Sequence, residues 1–598
     1  MQRTRRIAQS RLNSELILPA IAAGILSAGL SGAAFAQEEP TEAAPAAEAA
    51  AAASEPATAA TSSTESSDSD LYFFGDDSDL SAIDALLEEP TWDGPRFGID
   101  GYYRARWNVI GNPGAESDRV QVGPDRLDFI QHRLRLQPRI ELNDKTRIVA
   151  DAIVGEGVRR CDPSNAIQPY HPGPCNGFWG ANGLTVLDKQ AVDTFFNFKV
   201  VSFWGEVTTP VGVVRVGRQP SHWGLGIFSN DGLHDQDFGD NHFGDNYDRF
   251  VFATKPMGED SDLITALIYD RMSAGTPQLG IPGMAQIQDP SKTIHEGILV
   301  LLYKTAPLDL GVYQVLRTQN NPFSRIIATD VYGRLDIGLL YGAFESVWVY
   351  GKSRSLPFLD QEDLSYRLGD KVKVGQWGWA FEGGLRFDWY DFKLKMGNAQ
   401  GDQNLTNDRP RPKVKSITLH PDYNIGLVMF DYAYANLVER RIAQNFDRLG
   451  VLVDDGVLTQ AQVDELQIAA DLARTNGGVS NAFYVNPIAV LNPTEDLTVK
   501  AGLLWARSNA GIAVLGEGAN AVYHHNLGWE FDGGFEYRFR QRFAVGAEGG
   551  LLLPGDAFDQ PETRLDVESG LNVPVAGTLY SADPVWLSQL RFTFYIQP

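Results

Sequence analysis

Fixed positive charge recurs in this chain at short, even steps: Arg104 and Arg106, then Arg133, Arg135, Arg139 and Arg147, and later Lys393, Lys395, Arg538, Arg540 and Arg591. A guanidinium fork matches the oxygens of a carboxylate or phosphate and keeps its charge at any physiological pH. On the wall of a hollow, such groups attract anions and sugar hydroxyls; beside carboxylates they pair internally. Asp100, Glu141, Asp151, Glu382, Asp388, Glu530 and Glu536 fall on the same strand faces. Both outcomes therefore stay open: a pore-lining, anion-binding wall, or an ion-paired one.

Other reactive groupings are fewer. Asp231, Asp235, Asp237, Asp240 and Asp245 crowd the stretch 220–247 together with Asn241 and Asn246, and Asp248 follows it. Clustered oxygens suit Ca²⁺, which takes about six to eight of them, and Asp235, Asp237 and Asp240 are the candidate ligands. Their order departs from an EF-hand loop, and a hydrated acidic loop fits the same residues. His222, His234 and His242 lie in this stretch without the spacing that sets two ligands on one helix face. Cys161 and Cys175 are separated by 14 positions in one loop, which suits a disulfide worth ~3 kcal/mol in the loop-entropy description. No G-x-S-x-G elbow, H-E-x-x-H pair or phosphate loop occurs, so no enzyme is expected and no cofactor beyond that Ca²⁺.

The elements that carry these residues are strands. Phe97, Ile99, Tyr103, Ala105, Trp107 and Val109 alternate with Arg96, Asp100, Tyr102, Arg104, Arg106 and Asn108. Leu134, Leu136, Ile140 and Leu142 alternate with Arg133, Arg135, Arg139 and Glu141. Trp377, Trp379, Phe381 and Phe387, and again Trp529, Phe531, Phe535, Tyr537 and Phe539, keep the same two-residue period. The runs exceed the ~5–6 residues usual in globular strands and suit a tilted bilayer crossing of ~9–11. Their apolar faces are rich in rings, as at a lipid boundary. A bilayer tolerates only helices and closed barrels, because an exposed backbone polar group finds no water there. Secreted sandwiches and solenoids also alternate, and are the soluble alternative.

Connections sharpen the expectation. Short ones fall at Asn143-Asp144-Lys145, Thr208-Thr209-Pro210, Pro256 to Ser261, Ala306-Pro307, near Asp336, near Trp389, at Asn492-Pro493-Thr494 and near Arg540. Longer excursions alternate with them at 111–126, 156–192, 220–247, 273–293, 319–324, 352–374, 401–479, 509–524 and 554–583. Eight short and nine long connections join about 18 strands, with both ends on the short-turn, periplasmic side. Reading 415–435 as a strand pair, or dropping the brief 319–324 excursion, gives a range of 16–20. Eighteen tilted strands close at a diameter on the order of 35 Å, too wide for side chains alone to fill. Water or folded-in loops must occupy the interior, and the glycine-bearing 220–247 excursion is a candidate constriction. Within 401–479, Thr459 with Gln462 forms a capping box ahead of Val463, Leu466, Ala470 and Leu472, which predicts a helix in a long extracellular loop.

The chain has 598 residues and a net charge of −25, which argues against nucleic-acid partners. Residues 1–36 read as a signal peptide: Arg3, Arg5, Arg6 and Arg11, an apolar stretch from Leu16 to Leu30, and an Ala34-Phe35-Ala36 cleavage site. Residues 37–95 read as a disordered, acidic, low-complexity periplasmic arm, with fifteen acidic residues and no Lys or Arg. Leu80, Ile83, Leu86 and Leu87 in it keep helical spacing, with Ser81 as a cap. The barrel takes 96–598.

Several motifs carry a family likeness: Val216-Gly217-Arg218-Gln219-Pro220 with Trp223-Gly224-Leu225-Gly226, Gly244-Asp245-Asn246-Tyr247-Asp248-Arg249, and Gly397-Asn398-Ala399-Gln400-Gly401-Asp402. His420-Pro421-Asp422-Tyr423-Asn424-Ile425-Gly426-Leu427, Leu527-Gly528-Trp529-Glu530-Phe531-Asp532 and Leu553-Pro554-Gly555-Asp556 extend it. On these the chain resembles porin-type outer-membrane barrels of the alginate-export-like and carbohydrate-porin-like group, and is most similar to a delta-proteobacterial family of uncharacterised outer-membrane barrels. The resemblance implies an all-β transmembrane antiparallel barrel in the cell outer membrane, assembled by barrel-assembly machinery and partnered by lipid and small hydrophilic solutes. Such chains usually end on an aromatic residue; here Leu590, Phe592, Phe594 and Ile596 alternate and Gln597-Pro598 follows. Passive diffusion of small hydrophilic, anionic or sugar solutes is the expected function. A surface-exposed binding or adhesion barrel with a plugged lumen and a secreted carbohydrate-binding all-β protein are the alternatives.

Overall fold

The computed structural model describes residues 94–118, 125–155, 198–239, 244–258, 260–272, 294–320, 323–354, 358–359, 366–367, 371–402, 413–438, 475, 477–515, 521–540, 542–565 and 572–596. The signal, the arm up to residue 93, Cys161 and Cys175, Asp240, His242 and the helix expected after Thr459 lie outside these residues.

Eighteen long strands form the sheet: β1 (Arg96–Gly111), β2 (Arg126–Asn143), β3 (Thr146–Gly155), β4 (Phe198–Thr209), β5 (Gly212–Pro220), β6 (Asn246–Thr254), β7 (Leu263–Met272), β8 (Ile294–Thr305) and β9 (Leu308–Gln319). The second half is β10 (Ser324–Asp336), β11 (Leu340–Ser353), β12 (Val372–Arg386), β13 (Tyr390–Ala399), β14 (Ala482–Thr494), β15 (Leu497–Leu515), β16 (Ala521–Phe539), β17 (Phe543–Pro554) and β18 (Val585–Ile596). Each pairs antiparallel with its sequence neighbours, and β18 returns to β1 with Tyr103 opposite Phe594 and Gly111 opposite Trp586. The sheet is a closed 18-strand antiparallel barrel, which leaves no strand edge unpaired.

Short and long connections alternate as the sequence predicts. The one shortened excursion is 509–524: β15 and β16 continue to Leu515 and Ala521 because register shifts at Arg507 and Ile512 let them pair past the irregularity. Segment 415–435 is not a strand pair. Lys413–Val414 adds a two-residue parallel pairing to β12, Thr418 bridges Ser480, and Met429–Tyr434 forms a short helix. No helix among the described residues is long and apolar enough to cross a membrane.

Side-chain direction follows the two-residue period. Phe531 is 49% exposed on the outer face and Phe535 45%, while Arg133 retains 5% exposure on the inner one. Outward rings gather near both rims: Phe97, Trp389, Phe539 and Phe594 toward the short turns, and Trp107, Tyr269, Tyr350 and Trp586 toward the long connections. One part of the wall departs from the alternation of apolar and polar faces. Along β6–β12 the inner face is apolar too, through Val251, Ala253, Ile268, Val300, Leu302, Val315, Ala328, Val347 and Val349. Strands apolar on both faces must be covered on both. Here the outer face stays exposed, and a buried apolar cluster covers the inside, taking in Trp223, Ile227, Leu419, Ile425, Leu427 and Phe430 from two inward-folded segments.

Candidate functional site

The candidate site is the barrel interior, shaped by wall charges and by the segments 221–239 with 244–245 and 413–438. On β1 and β2 the register sets Arg104 opposite Arg133, Arg106 opposite Gln131 and Tyr102 opposite Arg135. Arg106 Nε donates to Gln131 Oε1 at 2.9 Å. Arg133 Nη1 reaches the Tyr102 hydroxyl at 3.4 Å, and the Arg104 guanidinium lies 5.9 Å from the Tyr102 ring centroid. Arg135 binds Asp151 of β3 with both carboxylate oxygens, through Nε at 3.0 Å and a closer Nη2 contact.

Most remaining cations meet carboxylates. Arg147 Nε lies 2.8 Å from Glu206, which also holds Arg215, and both guanidinium groups lie over the Trp204 ring. Arg249 makes a bidentate 2.7 Å pair with Asp270, and Arg317 pairs with Glu296 at 2.6 Å. Lys393 and Lys395 both meet Asp237 at 2.8 Å. Arg591 contacts Glu536 at 2.8 Å, and Arg538 meets the same carboxylate at 2.7 Å while half exposed. Arg139 reaches Asp100 at 3.0 Å, with substantial exposure on both partners. Arg540 occupies the turn after β16, over the Phe539 ring. Asp388 lies in the short turn between β12 and β13.

The first inward segment begins where β5 ends at Pro220. Trp223, fully buried, packs on Tyr313 and Tyr332 with ring centroids 5.3 and 6.4 Å away. Gly311 makes room for it, since a Cβ there would sit 2.5 Å from the indole. Glu345 of β11 accepts the Leu225 N–H at 2.5 Å, and Glu548 of β17 accepts that of Gly239 at 3.2 Å. Together with Asp237 meeting Lys393 and Lys395 of β13, these contacts carry the segment across the lumen.

The second segment is hung from Glu530 of β16. Its Oε1 accepts N–H bonds from Leu427 at 2.6 Å and Val428 at 2.7 Å, and its Oε2 accepts one from Met429 at 2.7 Å. Gly426, at φ +77°, makes the bend that aims them, and a Cβ there would strike this carboxylate. Three successive N–H groups converging on one carboxylate are an anion nest. Asn436 then donates to Pro113 O at 2.6 Å. The segments also hold each other: His420 N donates to Ile227 O at 2.8 Å, and Gly244 N donates to Asp422 at 2.7 Å.

Loop electrostatics follow from burial. Burial and the adjacent His234 push His222 down to about 3. Burial works to raise Asp237, but Lys395 and Lys393 outweigh it and hold the carboxyl far below the usual range. Burial would lower His420, yet Asp245, 3.6 Å away, holds its pKa above the ordinary value. Of the Ca²⁺ candidates, Asp237 is engaged by two lysines and Asp235 is exposed. Sequence reasoning missed two features. The roles of Glu345 and Glu530 had no local signal, whereas the apolar inner wall was visible as unbroken runs such as Ile298-Leu299-Val300-Leu301-Leu302.

No family model and no curated protein sequence matches the chain. Among solved structures it is similar to OccK5 (OpdH) of Pseudomonas aeruginosa, with 9% identity, TM-score 0.40, and coverage of 84% of this chain and 98% of that one. It is similar to OccAB1 of Acinetobacter baumannii, at 9% identity, TM-score 0.42, and 84% and 97% coverage. A BenF-like porin from Pseudomonas fluorescens Pf-5 gives 9% identity, TM-score 0.43, and 84% and 99% coverage.

Proposed function

We propose that the chain is an outer-membrane channel for small hydrophilic solutes of the anionic or sugar class, with its short turns in the periplasm. Passage runs along the charged β1–β5 wall, opposite the apolar-packed β6–β12 wall. The observation that carries this reading is the register pair Arg104–Arg133 flanking Tyr102 on the inner face. Guanidinium groups gathered on one patch of the inner wall match the oxygens of a solute carboxylate or phosphate. The Tyr102 ring beside them offers an apolar face to a sugar. Single-channel recording in a KCl gradient tests it: the wild type favours Cl⁻, and Arg104→Ala with Arg133→Ala reduces that preference. Unchanged selectivity refutes the solute class.

The apolar cluster inside the long-connection half supports a second reading, a plugged surface-binding barrel. The same recording separates the two, because folded protein that gives no conductance steps fits the plug and not the channel.

A further inference from the structure

Three side chains of the first inward segment are not used by the transport reading. His222, Asp231 and His234 each offer a ligand atom within 4.8 Å of the other two. Local structure brings them together. After Pro220 the chain doubles back, with Gly226 N donating to Trp223 O at 2.9 Å and Trp223 N to Ser229 O at 3.0 Å. This returns Asp231 beside His222. Asp231 Oδ1 then accepts the Leu233 N–H at 2.9 Å, turning His234 back so that the two imidazoles stack with centroids 3.9 Å apart.

The hydrogen-bond pattern leaves coordinating lone pairs facing inward. His222 Nε2 lies 3.2 Å from the Gly224 carbonyl, to which it donates. That fixes the tautomer and leaves Nδ1 with its lone pair. Nδ1 faces Asp231 Oδ1 at 3.6 Å and has no hydrogen-bond partner; neither has Asp231 Oδ2. His222 keeps 6% exposure and Asp231 3%. Asp231 Oδ1 is held by the Leu233 N–H and by His234 Nδ1 at 3.1 Å, whereas leaving His222 Nδ1 and Asp231 Oδ2 dry and unsatisfied is costly. A cation between them removes that cost. A backbone carbonyl holding the far nitrogen of a ligating histidine is the usual second layer of a metal site.

We propose that His222, Asp231 and His234 bind one divalent first-row transition-metal ion, of the Zn²⁺ or Cu²⁺ type, inside the barrel. Two imidazoles and one carboxylate are borderline donors that suit these ions, whereas Ca²⁺ and Mg²⁺ want an all-oxygen shell. Three protein ligands leave a coordination position for water. The ion clips residue 222 to residues 231 and 234, closing the first half of the inward segment into a ring. This is a different site from the Asp235, Asp237 and Asp240 oxygens, and it does not depend on what the barrel transports.

The test uses the tag-free chain folded in detergent, stripped with a chelator and titrated with Zn²⁺ by calorimetry. One Zn²⁺ binds per chain, excess Ca²⁺ does not displace it, and His234→Ala or Asp231→Asn weakens it by at least about tenfold. Failure of the wild type to bind stoichiometrically overturns the site, as does undiminished binding in both variants. X-ray absorption at the zinc edge of the loaded wild type needs no variant: two imidazole ligands are expected, and fewer than two overturns the assignment even if a variant fails to fold.

Discussion

Replacing Glu530 by alanine tests how the second inward segment is held. Glu530 is fully buried and is the acceptor for three consecutive N–H groups, Leu427 to Met429. A buried donor left without its partner costs about 1–3 kcal/mol, so three set a ceiling of about 3–9 kcal/mol. Water entering the barrel can bridge the freed donors at little enthalpic loss. The net penalty then falls near the lower bound, about 3 kcal/mol, which multiplies the displaced population of the segment by ~100. Hydrogen exchange of the Leu427, Val428 and Met429 amides should accelerate by that factor, while β16 amides stay protected. In planar bilayers the same variant should show larger or more frequent open levels. Glu530→Gln keeps one acceptor oxygen and should fall between the two. Wild-type exchange at all three amides in folded Glu530→Ala refutes the anchoring role.

Other perturbations probe other parts of the fold. Trp223→Ala should cost about 3–5 kcal/mol through the cavity left between Tyr313 and Tyr332, read as a lower temperature of the folded-to-unfolded gel shift; an unchanged transition contradicts the packing. Arg249→Ala strands buried Asp270 and should cost about 3–5 kcal/mol by the same assay, whereas replacing both partners with apolar residues should recover much of it. Phe531→Arg places a charge on the lipid face and should cost about 2–4 kcal/mol in liposome refolding; a neutral effect means that this face does not meet lipid. The Asp237 carboxyl is depressed in the folded chain, so its contribution is fully present above its unfolded pKa of ~4 and fades as pH falls through the lower folded value. Conductance should therefore be insensitive to this pair from neutral pH down to ~4 and change only in stronger acid; in Asp237→Asn that acid step should vanish.

What the sequence conveyed depended on distance along the chain. The strands were legible because each carries its own period, and the alternation of short and long connections counted them. The inner position of Arg133 and the outer position of Phe531 followed from the same parity. Which charges meet was not legible: Asp237 finds Lys393 and Lys395 more than 150 positions away, and no local pattern reports that. His222, Asp231 and His234 escaped a search for helical ligand spacing because a turn, not a helix, assembles them. The apolar inner wall left a different signal, since a strand buried on both faces loses the alternation that reveals direction and reads as an unbroken apolar run.

The seam between β1 and β18 joins residues 96–111 to 585–596, the first and last strands of the sheet. During synthesis the leading strand has a ribbon of bare amides and carbonyls that nothing can cover until the final twelve-residue strand arrives. A chain stopped short of that strand is therefore not a smaller pore but an open curl with two sticky margins. Arg106 faces Arg591 across this last suture, so zipping it shut brings two like charges together.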